Sequence, residues 1–588
     1  MVGSFTRAIA VAGIVVAAGC APAAQAPVAA PLPAASSEGA TASSDSADRA
    51  VAALADRYLA LLVENSPEHA TSLGIHDQDA RLDDRTPAGF EAALAREERF
   101  LDELERVTFE GKPSRSAEID LSLLRRMVRV SVRKAREQRP LQTNPSHYLR
   151  PISALFEMLA RPAPTNEATA RAAILRLEQL PGVVALAKRN LDNPSRAATE
   201  AALEDARGVD EFLVHHRPFL EKHGGDAKRA RRAVNKAIAA YADYAKWLEK
   251  DLLPRSRGQF AMGRDLFEFL LREDYALSED ADEVYAIGKR AFDRAKAELE
   301  KAARAIDPDE RRWPEVIARL KANHPTPDAL VSAYSNETTR ARAFLAAKSI
   351  VPFPPGEVLE VKETPEFSRA TTQAAYDMPP PFDTTTAKGI FLVTPADPSW
   401  SAAKQEEYLR EHGNGNIVDT VVHEAYPGHH LQVSFARLHP SVVRRVADSN
   451  IFCEGWGLYA EELMGEVGYY TPEERLFQLE WALVRAARVL IDVGLHTRSM
   501  TIDEAARLLV DEVHLEPVLA EIEARRYALS ATQPLSYVLG AEHIRALRDR
   551  WTRERGPDLH AFHKAVLSEG SIPPALVEHA IFGAPERP

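Results

Sequence analysis

The stretch VVHEAYPGHHLQ, residues Val421 to Gln432, places a His-Glu pair and a His-His pair on either side of Pro427 and Gly428. Zinc hydrolases commonly bind their ion through the pattern HExxH, in which two histidines four residues apart share one face of a helix. Here the fourth position is Pro427, and the next histidines are His429 and His430. The segment is therefore either a lost metal site or a site built in a different way.

An unbroken helix could not bring these histidines together. Each helical residue rises about 1.5 Å, so His429 would stand about 9 Å and His430 about 10.5 Å along the axis from His423. Bonds from zinc to nitrogen measure about 2.0 to 2.1 Å, which excludes a shared ion. Pro427 lacks the N–H that would bond to the His423 carbonyl, and Gly428 permits backbone conformations closed to other residues. We therefore predict a distorted helix that returns His429 or His430 to His423, and the place of His429 directly after Gly428 favours His429.

Glu424 follows the first histidine, about 100° further round the helix, where its carboxylate would face a bound water rather than the metal. Such a carboxylate takes the proton of the water and later passes it to the leaving amine. A lone His-Glu pair is usually a pair of surface groups. The apolar flanks NIVDTVV and LQVSFARL instead favour a buried position, where polar side chains need partners.

A third ligand is expected from the segment SNIFCEGWGLYAEELMGE. An ordinary amphipathic helix also carries acidic residues, but a Glu framed by Cys453, Gly455 and Trp456 is not typical of a solvent-facing position. We therefore predict Glu454 as a ligand of one Zn²⁺ ion. Glu461 lies seven residues later on nearly the same helical face, where it could orient a ligand from outside the first set of contacts.

The composition excludes one class of partner. The chain has 588 residues, a formal net charge of −13 and 27% charged residues. Nucleic-acid binders need basic surfaces that neutralise phosphates, so nucleic acid is not expected as a partner. At this length the chain can bury a large core, as one large helical domain or as two lobes.

The first twenty residues, MVGSFTRAIAVAGIVVAAGC, are typical of an export signal, with Arg7 before an apolar run that is too short for a stable membrane span. The segment AAGC resembles a bacterial lipobox, in which the cysteine is acylated. Ala21 after this cysteine is typical of sorting to the outer membrane. We predict a signal peptide over 1–19, a lipid on Cys20 and a location at the periplasmic face of the outer membrane, with plain secretion as the alternative.

Residues 20–46 consist mainly of Ala, Pro, Ser and Thr, with almost no large apolar side chain. Such a composition cannot bury enough surface to order itself, so we predict a disordered tether. The second of the two cysteines is Cys453, so no internal disulfide can form once Cys20 is lipidated.

Beyond the tether, apolar residues recur at three- and four-residue steps over 47–350 and again from about 402 onward, which predicts helices. Between 351 and 400, runs bounded by proline and rich in β-branched and aromatic residues predict short strands. We predict a mainly α protein with a small β-sheet beside the helix that carries the His-Glu pair. A helical N-terminal part over 47–350 and a catalytic part over 351–588 are expected to form one continuous unit.

The run GIFLV, which includes Gly389 and Phe391, is the strand of interest for substrate binding. Zinc proteases commonly hold an extended peptide along an edge strand beside the active-site helix. GIFLV is a candidate for such an edge. The alternative is a strand that only caps the core.

Three motifs are similar to those of the bacterial family known as domain of unknown function 885. HEAYPGHHLQ, EGWGLYAEEL and LSYVLG match its patterns HEAxPGHHxQ, EGWxLYxEEL and SYxxG, and the resemblance covers essentially the whole mature chain. That family resembles the gluzincin metallopeptidases, large helical enzymes in which two histidines from one helix and a Glu from the next bind zinc. The resemblance implies a gluzincin-like fold, His423, His429 and Glu454 as zinc ligands, and Glu424 as the general base.

The resemblance also draws attention to the late segment EARRYALSATQPLSYVLG. Tyr527 or Tyr537 could donate a hydrogen bond to the oxyanion of the reacting carbonyl. Arg525 or Arg526 could receive a substrate carboxylate. Aromatic residues at helical spacing are more often part of the core, and paired arginines are usually solvated.

Together these patterns predict a lipid-anchored, zinc-dependent hydrolase that cleaves peptide bonds in short or unfolded peptides. One alternative is a non-catalytic binding lipoprotein with the same fold, which would have no need of Glu424 beside intact ligands. Another is a zinc hydrolase of a non-peptide amide or ester, which would use the same residues.

Overall fold

The computed structural model describes residues 42–583, apart from 311, 365–368, 370–372 and 384–387. The expected signal peptide, Cys20 and the expected tether up to residue 41 lie outside the described residues. The first helix begins at Ala42, so the last five residues assigned to the tether are helical.

Side-chain caps start several of the helices. Thr471, Thr501 and Asp280 each accept a hydrogen bond from the backbone N–H three residues further on, and a Glu at that position bonds back to the cap. These reciprocal bonds satisfy backbone donors that the first helical turn leaves without partners. The helix starts are therefore set by residues close together in the sequence.

Helices make up most of the described chain. The helices before the sheet are α1 Ala42–Asn65, α2 Pro67–Ser72, α3 Pro87–Arg106, α4 Arg115–Gln138, α5 Pro140–Thr143, α6 Arg150–Ala160, α7 Asn166–Asn190, α8 Arg196–His223, α9 Ala227–Trp247, α10 Arg264–Glu273, α11 Ala281–Ile306, α12 Trp313–Leu320 and α13 Leu330–Lys348. Those after the sheet are α14 Ala402–Glu411, α15 Asn414–Glu424, α16 His429–Ala436, α17 Val442–Val446, α18 Asn450–Glu466, α19 Pro472–Thr497, α20 Ile502–Val513, α21 Pro517–Leu529, α22 Ser536–Arg555, α23 Leu559–Leu567 and α24 Pro574–Phe582. The prediction of a mainly α protein is confirmed.

Three strands form the small sheet, in the order β1, β3, β2. They are β1 Leu359–Glu363, β2 Ala374–Asp377 and β3 Gly389–Val393, with β3 parallel to β1 and antiparallel to β2. The sheet lies beside the His-Glu segment, because β2 contacts α15 and the Tyr376 ring of β2 lies 5.4 Å from the His430 ring.

The expectation that GIFLV is an edge strand is wrong. This run is β3, the central strand, and its backbone pairs with β1 on one side and β2 on the other. Phe391 is fully buried. A Cβ atom at Gly389 would lie 2.5 Å from Nδ1 of His430, so this glycine makes room for the histidine. Gly389 and Phe391 therefore belong to the support of the site and offer no edge to a peptide.

Two apolar cores hold the helices together. The larger core draws on helices before and after the sheet, with α19 packed along α11 and α18 packed along α22. The smaller core lies between Leu141 and Leu252 and is built mainly by α6 to α9. Because the larger core joins residues from both sides of position 350, the N-terminal part and the catalytic part share it.

None of the helices in the described part of the chain is both long enough and apolar enough to cross a membrane.

Candidate metal centre

The Pro-Gly step ends one helix and starts another. α15 ends at Glu424, and α16 begins at His429 after a cis peptide bond between Tyr426 and Pro427. The chain therefore forms two separate helices here, where the sequence predicted one distorted helix. Proline accounts for the break, since it cannot donate the next helical hydrogen bond.

Gly428 is required by the close approach of the two helices. A Cβ atom at this position would lie 1.8 Å from the carbonyl oxygen of His423. Any side chain would push α16 away from α15. Trp456 holds the turn from the other side, because its indole Nε1 donates a hydrogen bond of 2.8 Å to the carbonyl of Pro427.

The turn folds His429 back onto His423. The two imidazole ring centres lie 4.6 Å apart, and the ring planes meet at 84°. His429 therefore returns to the first histidine through the turn, at a sequence distance that no straight helix would allow.

Glu454, on α18, completes a group of three donors. Its Oε2 lies 3.6 Å from Nε2 of His423 and 3.5 Å from Nε2 of His429. All three ligand atoms lie within 4.8 Å of one another. Tetrahedral ligands that bind zinc at about 2.0 to 2.1 Å stand about 3.4 Å apart. The spacing of the three side chains thus fits a single Zn²⁺ ion.

One carboxylate oxygen of Glu454 points to the same conclusion. Oε1 accepts a hydrogen bond of 3.1 Å from Nε2 of Gln533, whereas Oε2 is buried and accepts none from any described residue. Burial raises the pKa of Glu454, but His423 and His429 outweigh burial and hold this pKa well below its ordinary value. The site therefore contains a buried carboxylate oxygen that faces two imidazole nitrogens without a hydrogen bond, and a cation shared by the three atoms would satisfy it.

Glu461 orients His423 from behind. Its Oε1 accepts a hydrogen bond of 2.7 Å from Nδ1 of His423, which directs Nε2 toward Glu454. Arg485 donates to the same oxygen at 2.7 Å and lies 4.0 Å from Asp419. Burial lowers the pKa of His423, but Glu454 and Glu461 outweigh burial and raise this pKa to about 10. A metal ion at Nε2 must therefore displace a proton.

His430, the alternative second histidine, does not join this group. Its Nε2 lies 2.7 Å from Oε1 of Glu357, and its Nδ1 lies 3.2 Å from the hydroxyl of Tyr376. Tyr426 also donates a hydrogen bond to Glu357. His430 is 1% exposed and ties the start of α16 to the sheet.

Glu424 ends α15 directly after His423 and is half-buried. Within the part of the chain that the structure describes, its carboxylate forms no hydrogen bond or ion pair. The carboxylate is therefore available to a water molecule or a substrate.

Tyr537, at the start of α22, lies beside the first histidine. Its ring stacks on the ring of His423 with centres 6.1 Å apart and planes 21° apart. Nε2 of Gln533 lies 3.5 Å from its hydroxyl. Burial raises the pKa of Tyr537 to about 12, with a further contribution from Glu454. The phenol is thus protonated at neutral pH and can donate a hydrogen bond.

Tyr527, the other candidate tyrosine, is fully buried. Its hydroxyl accepts a hydrogen bond of 2.8 Å from Nε of Arg488 and donates one to Glu523. Because these bonds occupy the hydroxyl, the expectation that Tyr527 serves the oxyanion is wrong. Arg526 bonds to the same Glu523 through Nε at 3.1 Å and Nη2 at 2.7 Å.

Gln533, Trp456, Arg485 and Arg488 also belong to the site or its support, although no sequence motif predicted them. A signal existed for the two arginines, because they interrupt the apolar helix WALVRAARVLIDVGL three residues apart and so share one face. Gln533 and Trp456 act through contacts with residues distant in the sequence, which no local pattern indicates.

Comparisons with known proteins place this architecture in a family. A family described as bacterial protein of unknown function matches residues 67–581. A solved structure from Shewanella oneidensis, described as "a putative lipoprotein of unknown function", is 25% identical with a TM-score of 0.73, covering 90% of this chain and 99% of its own. A solved "putative lipoprotein" from Colwellia psychrerythraea is 20% identical with a TM-score of 0.76, covering 91% of this chain and 98% of its own, and this likeness shows the fold alone. No curated protein matches the chain. Since the family match spans most of the sequence, this protein belongs to the bacterial family known as domain of unknown function 885.

Proposed function

We propose that this protein is a zinc-dependent hydrolase that cleaves peptide bonds. The observation that carries the proposal is the convergence of His423, His429 and Glu454, with a buried oxygen of Glu454 that accepts no hydrogen bond from the described residues. Two histidines and one Glu form the ligand set of catalytic zinc sites that keep a fourth position for water or substrate. The arrangement is a gluzincin-like site in which the two histidines come from successive helices, α15 and α16.

Each remaining residue has a role in the proposed hydrolysis, in which the carbonyl carbon gains a hydroxyl, the C–N bond breaks and the nitrogen gains a proton. His423, His429 and Glu454 would hold the zinc ion, which when bound would lower the pKa of a water molecule and polarise the carbonyl of the substrate. Glu424 takes the proton of the water and passes it to the leaving nitrogen. Tyr537 donates a hydrogen bond to the carbonyl oxygen as that oxygen becomes negative.

Short or unfolded peptides are the proposed substrates. The side chains of His429 and Glu454 are only 16% and 17% exposed, so the approach to the site is narrow. α21, which follows the metal-site helices, packs against α8 of the N-terminal part. A narrow approach to the site favours an extended chain over a folded protein.

The proposal includes a location outside the cytoplasm. Cys20 would carry a lipid that holds the protein at the periplasmic face of the outer membrane. The support for this location is the lipobox-like segment that ends at Cys20, together with the description of two solved structures of the same fold as lipoproteins.

The proposal is tested by digesting a pool of unstructured peptides with zinc-loaded wild type and with Glu424→Gln. We expect Glu424→Gln to bind one zinc per chain and to lose on the order of 100-fold to 10,000-fold in hydrolysis, because the substitution removes the general base alone. Glu462→Gln is the control, since Glu462 pairs with Arg545 of α22 and forms no ion pair with the three donors. This control should digest the peptides as wild type does.

Three results would contradict the proposal. Equal digestion by wild type and Glu424→Gln would remove the assigned base. Absence of bound zinc in wild type would favour a non-catalytic binding lipoprotein. Cleavage of esters or non-peptide amides, sensitive to Glu424→Gln and without peptide cleavage, would favour the second alternative.

A further inference from the structure

A cluster of two arginines around one carboxylate lies beside the proposed active site. Arg488 donates from Nη2 to Oε2 of Glu523 at 3.2 Å, and Arg526 binds both oxygens of the same carboxylate. The hydroxyl of Tyr527 completes the cluster through its bonds to Arg488 and Glu523. Arg488 comes from α19, and the other three residues come from α21.

The cluster carries an excess positive charge. Two guanidinium groups share one carboxylate, and Tyr527 adds no charge because burial raises its pKa. Arg485, three residues before Arg488 on the same helix, instead has a carboxylate that it does not share with another arginine, since it pairs with Glu461 at 2.7 Å. Unbalanced positive charge at a nearly buried position is costly unless an anion binds there.

Each arginine also keeps one nitrogen for a further partner. The bonds to Tyr527 and Glu523 use Nε and Nη2 of Arg488, and those to Glu523 use Nε and Nη2 of Arg526. Nη1 of each arginine bonds to no described residue and is in contact with solvent. The two side chains are 10% and 17% exposed. These two Nη1 groups are therefore nearly buried donors that a further partner could use.

The ring of Tyr537 contacts both the cluster and His423, one of the three proposed metal ligands. The guanidinium carbon of Arg488 is 4.9 Å from the ring centre of Tyr537, which stacks on His423 at 6.1 Å. One or two extended residues span about 3.5 to 7 Å. A peptide whose scissile carbonyl lies at Tyr537 can thus reach Arg488 with a group one or two residues along the chain.

We infer that Arg488 and Arg526 bind the C-terminal carboxylate of the substrate, so that the enzyme removes one or two residues from the C-terminus of a peptide. This inference rests on the proposed function and adds the substrate class to it. A planar carboxylate matches the donor geometry of guanidinium groups. Arg525, the other arginine of this segment, lies 3.9 Å from Glu204 of the N-terminal part and has no place in the cluster.

The experiment uses two pools of the same N-acetylated pentapeptides, one with free C-terminal carboxylates and one with C-terminal amides. Zinc-loaded wild type should cleave the acids at least about tenfold faster in kcat/KM than the amides, as expected when a hydrogen bond to a charged group is lost. Mass spectrometry of the acid products should show loss of one or two C-terminal residues. Binding of both pools to Glu424→Gln, measured by calorimetry, should show the same preference without turnover.

Variants test the assignment to these two residues. In Arg526→Gln and Arg488→Gln the preference for acids should disappear, whereas each variant should still bind one zinc per chain. Arg498→Gln is the matched control at the end of α19, since Arg498 pairs with Asp282 at the surface and should keep the preference. If Arg488→Gln does not fold, the inference is tested by Arg526→Gln and by the rates at which wild type cleaves the acids and the amides.

Each outcome separates the inference from the proposed function. Equal cleavage of acids and amides by wild type, or an unchanged preference in Arg526→Gln, would overturn the inference and leave the peptidase proposal standing. Cleavage of neither pool by zinc-loaded wild type would overturn the proposed function and this inference with it.

Discussion

Two buried groups of histidine and glutamate lie on opposite sides of the first turn of α16. On one side, His429 meets His423 and Glu454, and one oxygen of Glu454 accepts no hydrogen bond within the described structure. On the other side, His430 bonds to Glu357, and both oxygens of Glu357 have partners. The two groups use the same residue types, and adjacent residues of one helix serve them.

The difference lies in how the polar atoms are satisfied. Glu357 is neutralised within the fold by His430, Tyr426 and Arg342, so this group needs no further ligand. Glu454, by contrast, has one oxygen that accepts no hydrogen bond from the described residues. The convergence of two imidazoles on a carboxylate with incomplete hydrogen bonding is thus a stronger sign of a metal site than the presence of histidine and glutamate alone.

The largest effect on zinc binding is expected from His429→Ala. Loss of this imidazole leaves two of the three proposed ligands, so zinc affinity should fall by more than the roughly 100-fold that follows loss of an outer partner. Hydrolysis should fall with it. The measurement is zinc per chain after dialysis, together with a competition titration; a variant that retains one zinc at wild-type affinity would contradict the account.

A smaller effect on zinc is expected from Glu461→Gln. The substitution keeps the size of the side chain but removes the charge that orients His423 and pairs with Arg485. Zinc affinity should fall about 10-fold to 100-fold. Glu462→Gln, the next residue along the helix, is the matched control and should leave affinity unchanged. Equal affinities in the two variants would show that Glu461 has no role in orienting the ligand.

The smallest effect on zinc is expected from His430→Ala. This variant should bind one zinc per chain as wild type does, because His430 faces the sheet. Its stability should fall by about 1 to 3 kcal/mol, since Glu357 loses a buried hydrogen-bond partner. Chemical denaturation and zinc analysis measure the two properties. Loss of zinc without loss of stability would reverse the assignments of His429 and His430.

The helical fold was largely predictable from the sequence, because apolar periodicity and caps such as Thr471 are local properties. The order of the strands was not. Gly389 and Phe391 lie in an apolar run that is compatible with an edge or a central strand, and only the pairing of β3 with both neighbours decides between them. Strand order depends on contacts between distant segments, which composition does not encode.

The three proposed ligands could be predicted from the sequence, but the residues around them could not. The disruption at Pro427 follows from the chemistry of one residue, so the return of the chain toward His423 could be expected. The choice of His429 was left open because the partner of His430, Glu357, lies far away in the sequence. Tyr527 was a poor candidate for the same reason, since its bond to Arg488 appears only in the folded structure.

The most direct test of the central claim is anomalous X-ray scattering at the zinc edge from crystals of the zinc-loaded protein. We predict one strong peak, about 2.0 to 2.2 Å from Nε2 of His423, Nε2 of His429 and Oε2 of Glu454. No peak at this point, or a peak bound by His430 in place of His429, would contradict the account.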